Sequence, residues 1–242
     1  EKLRADKTFV MKGIAKQPCV LEFASEKLKA DKEVVRMAFV KAMAEGVLDD
    51  EREEAPNANP LQYASPRLRA DRSFVSELLR DELDLPGGRV REFQFFPLWS
   101  EEVFRHVAGE LTRDRDLVLQ ALAKGDDHVT LTRFFAKVAP ELLSDRDFVL
   151  EAVVANGQVL GCVSEDFKRD EEVVMSAVMC LCTICYAGSS GSRPGLTAAF
   201  QFASESLRGD ADFVLRLLEA DKRRRGELMA RPDDKWLWLT GK

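Results

Sequence analysis

The 242 residues carry 36 basic and 42 acidic side chains, a formal charge of −6 and a pI near 5.2. That balance speaks against general nucleic-acid binding, which draws on a basic excess. No run is long and apolar enough for a transmembrane helix, and no signal peptide opens the chain.

Seven aspartates set the register: Asp6, Asp31, Asp71, Asp114, Asp145, Asp170 and Asp210. Three residues before them stand Leu3, Leu28, Leu68, Leu111, Leu142, Phe167 and Leu207. Three and four residues after them stand apolar pairs, among them Phe9-Val10, Phe74-Val75, Phe148-Val149 and Phe213-Val214. Asp is among the best helix N-caps, because its carboxylate accepts bonds from the first free backbone N–H groups. An acid often follows two positions later (Glu33, Asp116, Asp147, Glu172, Asp212), where the helix dipole favours it. The stripe then continues as Leu78-Leu79 after Asp71 and Ala152-Val153 after Asp145, the face of an amphipathic helix. A shorter first helix is predicted before each corner. Its clearest copies are Leu21–Ser25, Leu61–Ser65 and Phe200–Ser204, in which Phe23, Tyr63 and Phe202 are expected in the core beside a small Ala-Ser pair. The closest aspartates are 25 residues apart. Such a unit cannot bury its own face, so neighbours must stack. The expectation is all-α: an α-solenoid of about seven two-helix repeats forming a single domain over 1–242.

In chain order, residues 1–13 are a half unit, with Gly13 weakening its second helix. The sequence opens at Glu1 inside a helix without Met, which reads as a piece of a longer product. A first insertion, about 47–60, holds the acidic run Asp49–Glu54 and reads as a solvated loop, with an acidic docking loop or a cation site as the alternatives. Leu85-Pro86-Gly87-Gly88 is a turn signal. The second insertion, about 83–99, is the most aromatic segment. Phe93, Phe95, Phe96 and Trp99 either fold back as core or anchor a partner, as interface aromatics do. His106 takes the place of the first-helix aromatic and reads as a half-buried ring. His128 follows Gly125-Asp126-Asp127 in a turn, with metal binding as the alternative. Two isolated histidines are little material for acid–base chemistry.

The helix after Asp170 is expected to run apolar from Val173 to Tyr186. It carries Cys180, Cys182 and Cys185. These read as buried thiols acting as small hydrophobes, with metal and redox roles as alternatives. Five cysteines without paired spacing favour a reducing compartment and no disulfide framework. A third insertion, about 186–196, lacks the phosphate-cradling pattern. Lys222 to Arg225 form a basic patch that reads as a solvated helix end or as a contact for an acidic partner or lipid headgroup; Arg223 and Arg224 are its candidate contacts. The expected tail, 226–242, carries Trp236 and Trp238, which cap the last repeat or insert into a partner.

The run Phe-Ala-Ser-Glu-x-Leu-Lys-x-Asp-Lys-Glu-Val-Val at Phe23–Val35 resembles the tandem helical repeats of domain of unknown function 4116. The resemblance implies a helical array that binds proteins, and it brings no catalytic residues. The family's abundance in protists and algae points to an organellar assembly, photosynthetic or respiratory, on the chloroplast stroma or mitochondrial matrix side. The function expected is therefore a non-catalytic scaffold or peripheral subunit, not an enzyme, with no cofactor and no metal. Its partners would be other proteins of a larger complex, with no nucleic acid and no membrane span, and with peripheral membrane association through those partners as an option. A soluble peptide-binding adaptor and, more remotely, a cysteine-dependent metal or redox protein are the alternatives.

Overall fold

The computed structural model describes residues 2–44, 59–80, 84–85, 88–89, 99–122, 128–180 and 197–230. The protein is all-α. Among the described residues the regular structure is α and 3₁₀ helix, apart from one two-residue antiparallel pairing, Asp84↔Arg89 and Leu85↔Gly88, on either side of the predicted Pro86-Gly87 turn. No described helix is long and apolar enough to cross a membrane.

Every one of the seven aspartates starts a helix: Lys7–Ile14, Lys32–Ala44, Arg72–Leu78, Arg115–Leu122, Arg146–Ala155, Glu171–Val178 and Ala211–Ala230. In each case a carboxylate oxygen accepts a backbone N–H two or three residues on. Examples are Asp6 from Phe9 at 3.1 Å, Asp31 from Glu33 at 3.0 Å, Asp114 from Leu117 at 3.1 Å and Asp145 from Asp147 at 3.0 Å. The predicted apolar face is the core face. Phe74, Val75, Leu78 and Leu79, and Phe148, Val149, Ala152 and Val153, are all buried.

The predicted first helix is broken. Residues 21–29 are not one helix: a 3₁₀ helix, Pro18–Phe23, ends at Ala24, and Ser25 is extended. A separate four-residue helix, Glu26–Lys29, then starts with the Ser25 Oγ accepting the Leu28 N–H at 3.4 Å. Ser65 and Ser204 cap Pro66–Arg69 and Glu205–Arg208 in the same way. The serine is thus a cap, which cuts the helix where the sequence suggested only a small residue. The aromatic does not fill the core either. Phe23 is 56% exposed, while Pro18, Leu21 and Ala24 are buried. Three residues per turn put positions three apart on one side, so Phe23 falls off the inner face.

Two further boundaries differ from expectation. The helix after Asp170 ends at Val178, with Met179 as its C-cap, short of the predicted Tyr186. The last helix runs on to Ala230, into the segment expected as tail, because residues 219–230 are mostly good helix formers. Gly13 lies within its helix. A Cβ there would stand 2.9 Å from the Val20 Cγ1, so glycine admits the following 3₁₀ helix.

The chain divides into two compact parts, residues 1–142 and 143–242. In the first, one backbone bond recurs between successive corners: Ser25 N–H to Arg4 O at 2.8 Å, Ser65 to Lys29 at 2.9 Å, Ala108 to Arg69 at 3.0 Å and Ala139 to Thr112 at 3.1 Å. The second part has its equivalent, Ser204 N–H to Lys168 O at 2.9 Å.

Candidate functional site

Two polar features stand out: a ladder of ions along the corners and a buried cluster around residues 99–106. In the ladder, the residue directly after a capping aspartate reaches the next corner's cap. Lys7 Nζ donates to Asp31 Oδ2 at 2.8 Å and to Glu33 at 2.6 Å. Lys32 pairs with Asp71 Oδ2 at 2.7 Å. Arg72 binds both oxygens of Asp114 and also Asp116. Arg146 Nε donates to Asp170 Oδ2 at 2.8 Å, its Nη2 to Asp170 Oδ1 at 3.2 Å and to Glu172 at 2.6 Å. Each of these aspartates therefore caps its own helix with Oδ1 and takes the preceding corner's cation chiefly on Oδ2.

The electrostatic result is consistent. Arg72 beside Asp114, and Arg146 beside Asp170, hold those carboxyls below the usual 3.8. Lys32, the Ser73 hydroxyl and the Phe74 N–H hold Asp71 far below it. Burial pushes Asp31 up, but Lys7 and the capping N–H groups outweigh it and leave the carboxyl lowered. A second rung lies deeper on the same helices, with Arg36 Nη1 donating to Glu77 at 2.8 Å and Ser76 Oγ to Gln120 at 3.0 Å.

The buried cluster sits where two insertions leave the described chain. Asn59 precedes the 3₁₀ helix Pro60–Tyr63 and caps it, its Oδ1 accepting the Leu61 N–H at 2.9 Å. Its Nδ2 donates to the Glu102 carbonyl at 2.9 Å and to Glu102 Oε2 at 2.7 Å. Glu101 and Glu102 are both 2% exposed, on the helix Trp99–Phe104. Arg105 Nη2 bridges them, at 2.9 Å to Glu101 and 3.1 Å to Glu102. Ser100 Oγ donates to the Ala121 carbonyl at 3.0 Å, and Glu101 Oε2 is buried without a hydrogen-bond partner. Buried charge is costly unless paired. This pairing ties the helix Trp99–Phe104 to the corners before and after it.

His106 follows that helix and is half-buried, as the sequence led us to expect. Its Nε2 is buried without a partner, as is the Nε of Arg69. Burial, reinforced by the positive charges of Arg105, Arg69 and Lys137, lowers its pKa from 6.5 to about 4. The ring is therefore neutral at neutral pH and is a poor general acid there.

The residues predicted to bind partners are not brought together among the described residues. Phe93, Phe95, Phe96, Trp236 and Trp238 lie outside them. Trp99 opens its helix and Arg224 lies within the last one, but only the Arg223 side chain is described, and it is exposed. Cys180 is a buried thiol whose Sγ donates to the Val154 carbonyl at 3.2 Å. Cys182 and Cys185 fall outside the described residues, as do Asp126 and Asp127. His128 opens the helix His128–Phe135, where a turn was expected. Among the described residues no group of three or more His, Cys, Asp or Glu could hold a metal.

Sequence reasoning missed both features. The ladder had a signal, a Lys or Arg directly after five of the seven aspartates. The cluster had little, since Glu101, Glu102 and Arg105 read as an ordinary solvated helix face.

Residues 6–41 and 138–190 match the family model described as Domain of unknown function (DUF4116). The resemblance drawn from Phe23–Val35 is thereby shown. Each matched segment of the family holds one pair of corners with the minimum 25-residue spacing, Asp6 with Asp31 and Asp145 with Asp170. The corners at Asp71, Asp114 and Asp210 fall outside the matched segments but carry the same capping bonds. No curated protein and no solved structure matches the chain.

Proposed function

We propose that the protein is a non-catalytic α-solenoid scaffold of about seven helical repeats, a peripheral subunit that holds other proteins in a larger assembly. The observation that carries this reading is a corner-to-corner link that recurs at different spacings. The backbone bond and the ion pair are the same whether successive aspartates are 25 residues apart, as with Asp6 and Asp31, or 43, as with Asp71 and Asp114. Insertions thus leave a fixed helical frame, the usual arrangement for binding loops in repeat proteins. The buried Asn59 and Ser100 serve capping and bracing. Phe93, Phe95, Phe96, Trp99, Arg223, Arg224, Trp236 and Trp238 are the proposed partner contacts.

The test is the native mass of the protein from its source after gentle extraction, with co-migrating proteins identified. A mass well above 27.2 kDa with fixed partners is expected. Serine at Phe95 and Phe96, or loss of Trp236 and Trp238, should release partners without lowering the melting temperature. A monodisperse monomer recovered alone sinks the reading.

A further inference from the structure

The first corner differs from the other six on one face. Phe9 stands three residues after its capping aspartate, where the later corners have Val34, Phe74, Leu117, Phe148, Val173 and Phe213. Those six are at most 1% exposed; Phe9 is 52% exposed. Leu3 is 59% exposed; of its six counterparts Leu28, Leu68, Leu111 and Leu207 are at most 8% exposed, and Leu142 and Phe167 are half-buried. Asp6 caps with Oδ1 as the others do. Yet among the described residues no cation pairs with it, whereas Asp31, Asp71, Asp114 and Asp170 each receive one. An apolar spot beside a carboxylate with an open oxygen is therefore the face that later corners present to their predecessor.

We propose that this leading face docks one further helical repeat of the same kind, supplied from outside these 242 residues and carrying Lys or Arg directly after its own capping aspartate. Charge complementarity selects that occupant over a second copy of the chain. The last corner has Ala211 at the decisive position and would leave Asp6 unpaired. The inference deepens the scaffold reading and rests on its repeat geometry. Its test uses no cellular partner, so it can fail while partners at native mass still stand.

Residues 1–25 span one period. Glu1-Lys2-Leu3-Arg4-Ala5-Asp6 and Glu26-Lys27-Leu28-Lys29-Ala30-Asp31 agree at all positions but one. A second copy of 1–25 fused ahead of Glu1 therefore continues the register, and its lysine at the position of Lys7 meets Asp6. Hydrogen exchange at residues 7–14 should slow by about tenfold or more, with a higher melting temperature. Lysine to glutamate at that position of the added copy should reverse most of the gain. Phe9→Asp should be nearly neutral in the 242-residue chain and should cancel the gain in the extended one. The same 25 residues already fold against the Asp31 corner, so a copy that stays unfolded here overturns the proposal. Unchanged exchange at 7–14, or a gain that the glutamate copy keeps in full, also overturns it. So does a concentration-dependent dimer of the 242-residue chain that Phe9→Asp dissolves, since that assigns the face to a second copy.

Discussion

Asp210 caps the last helix with bonds from the Asp212 and Phe213 N–H groups, and no described cation joins it, because Glu171 stands where earlier corners have Lys or Arg. It isolates the capping role. Asp210→Ala should cost about 1 kcal/mol in denaturant unfolding, and Asp210→Asn almost nothing, since Asn caps as well as Asp. Phe148 stands for the other half of the corner, a fully buried ring on the inner helix face. Phe148→Ala should cost about 3–5 kcal/mol through transfer and cavity terms, and a neutral result would place the helix face wrongly. His106 adds a pH dependence. Its folded pKa of about 4 lies below the ordinary 6.5. The unfolded chain takes the proton first, so stability is complete above about pH 6.5 and falls as pH drops towards 4. His106→Tyr, the residue Tyr63 supplies in the matching position, should flatten the melting temperature between pH 7 and 5.

A corner is held to its neighbour by a backbone bond, an apolar contact and an ion pair, and the ion pair is the part most open to doubt on energetic grounds. Exposed pairs contribute about 0–1 kcal/mol. The Arg146 side chain is 45% exposed, but the fork is bidentate and the Asp170 side chain is only 25% exposed. Asp170→Asn keeps the cap and loses the charge. A double-mutant cycle with Arg146→Met should return a coupling of about 1 kcal/mol, and a coupling of zero would make the ladder a by-product of packing. Helix starts and inner faces were legible because capping and periodicity are local: Asp at the cap and apolar residues three and four later suffice. The break at Ser25 was not, since a four-residue helix is too short to show a period. The ladder was not either. Lys7 and Asp31, or Arg72 and Asp114, meet only once the corners have stacked. Burial of Glu101 and Glu102 likewise depends on which elements close over a helix whose own sequence is polar at those places.

Among the described residues the lowered carboxyls are Asp31, Asp71 and Asp114 in the part spanning 1–142, which also holds His106, and Glu165 and Asp170 in the part spanning 143–242. A carboxyl whose folded pKa lies below its unfolded value of 3.8 stabilises the fold fully above that pH and stops doing so as pH falls through the folded value. Acid unfolding should therefore draw protons onto three such carboxyls in the first part and two in the second. Hydrogen exchange followed between pH 5 and about 2.5, with the free energy of opening read separately for helices in each part, should show the steeper fall with pH in Lys32–Ala44 and Arg72–Leu78. Arg146–Ala155 and Glu171–Val178 should fall more gently. Above pH 5 those lowered carboxyls contribute a constant amount, and His106 should weaken the first part between pH 7 and 5. Equal slopes below pH 4 would mean that the cations beside Asp31, Asp71 and Asp114 leave their carboxyls unperturbed, and that the corners are joined by apolar packing and backbone bonds alone.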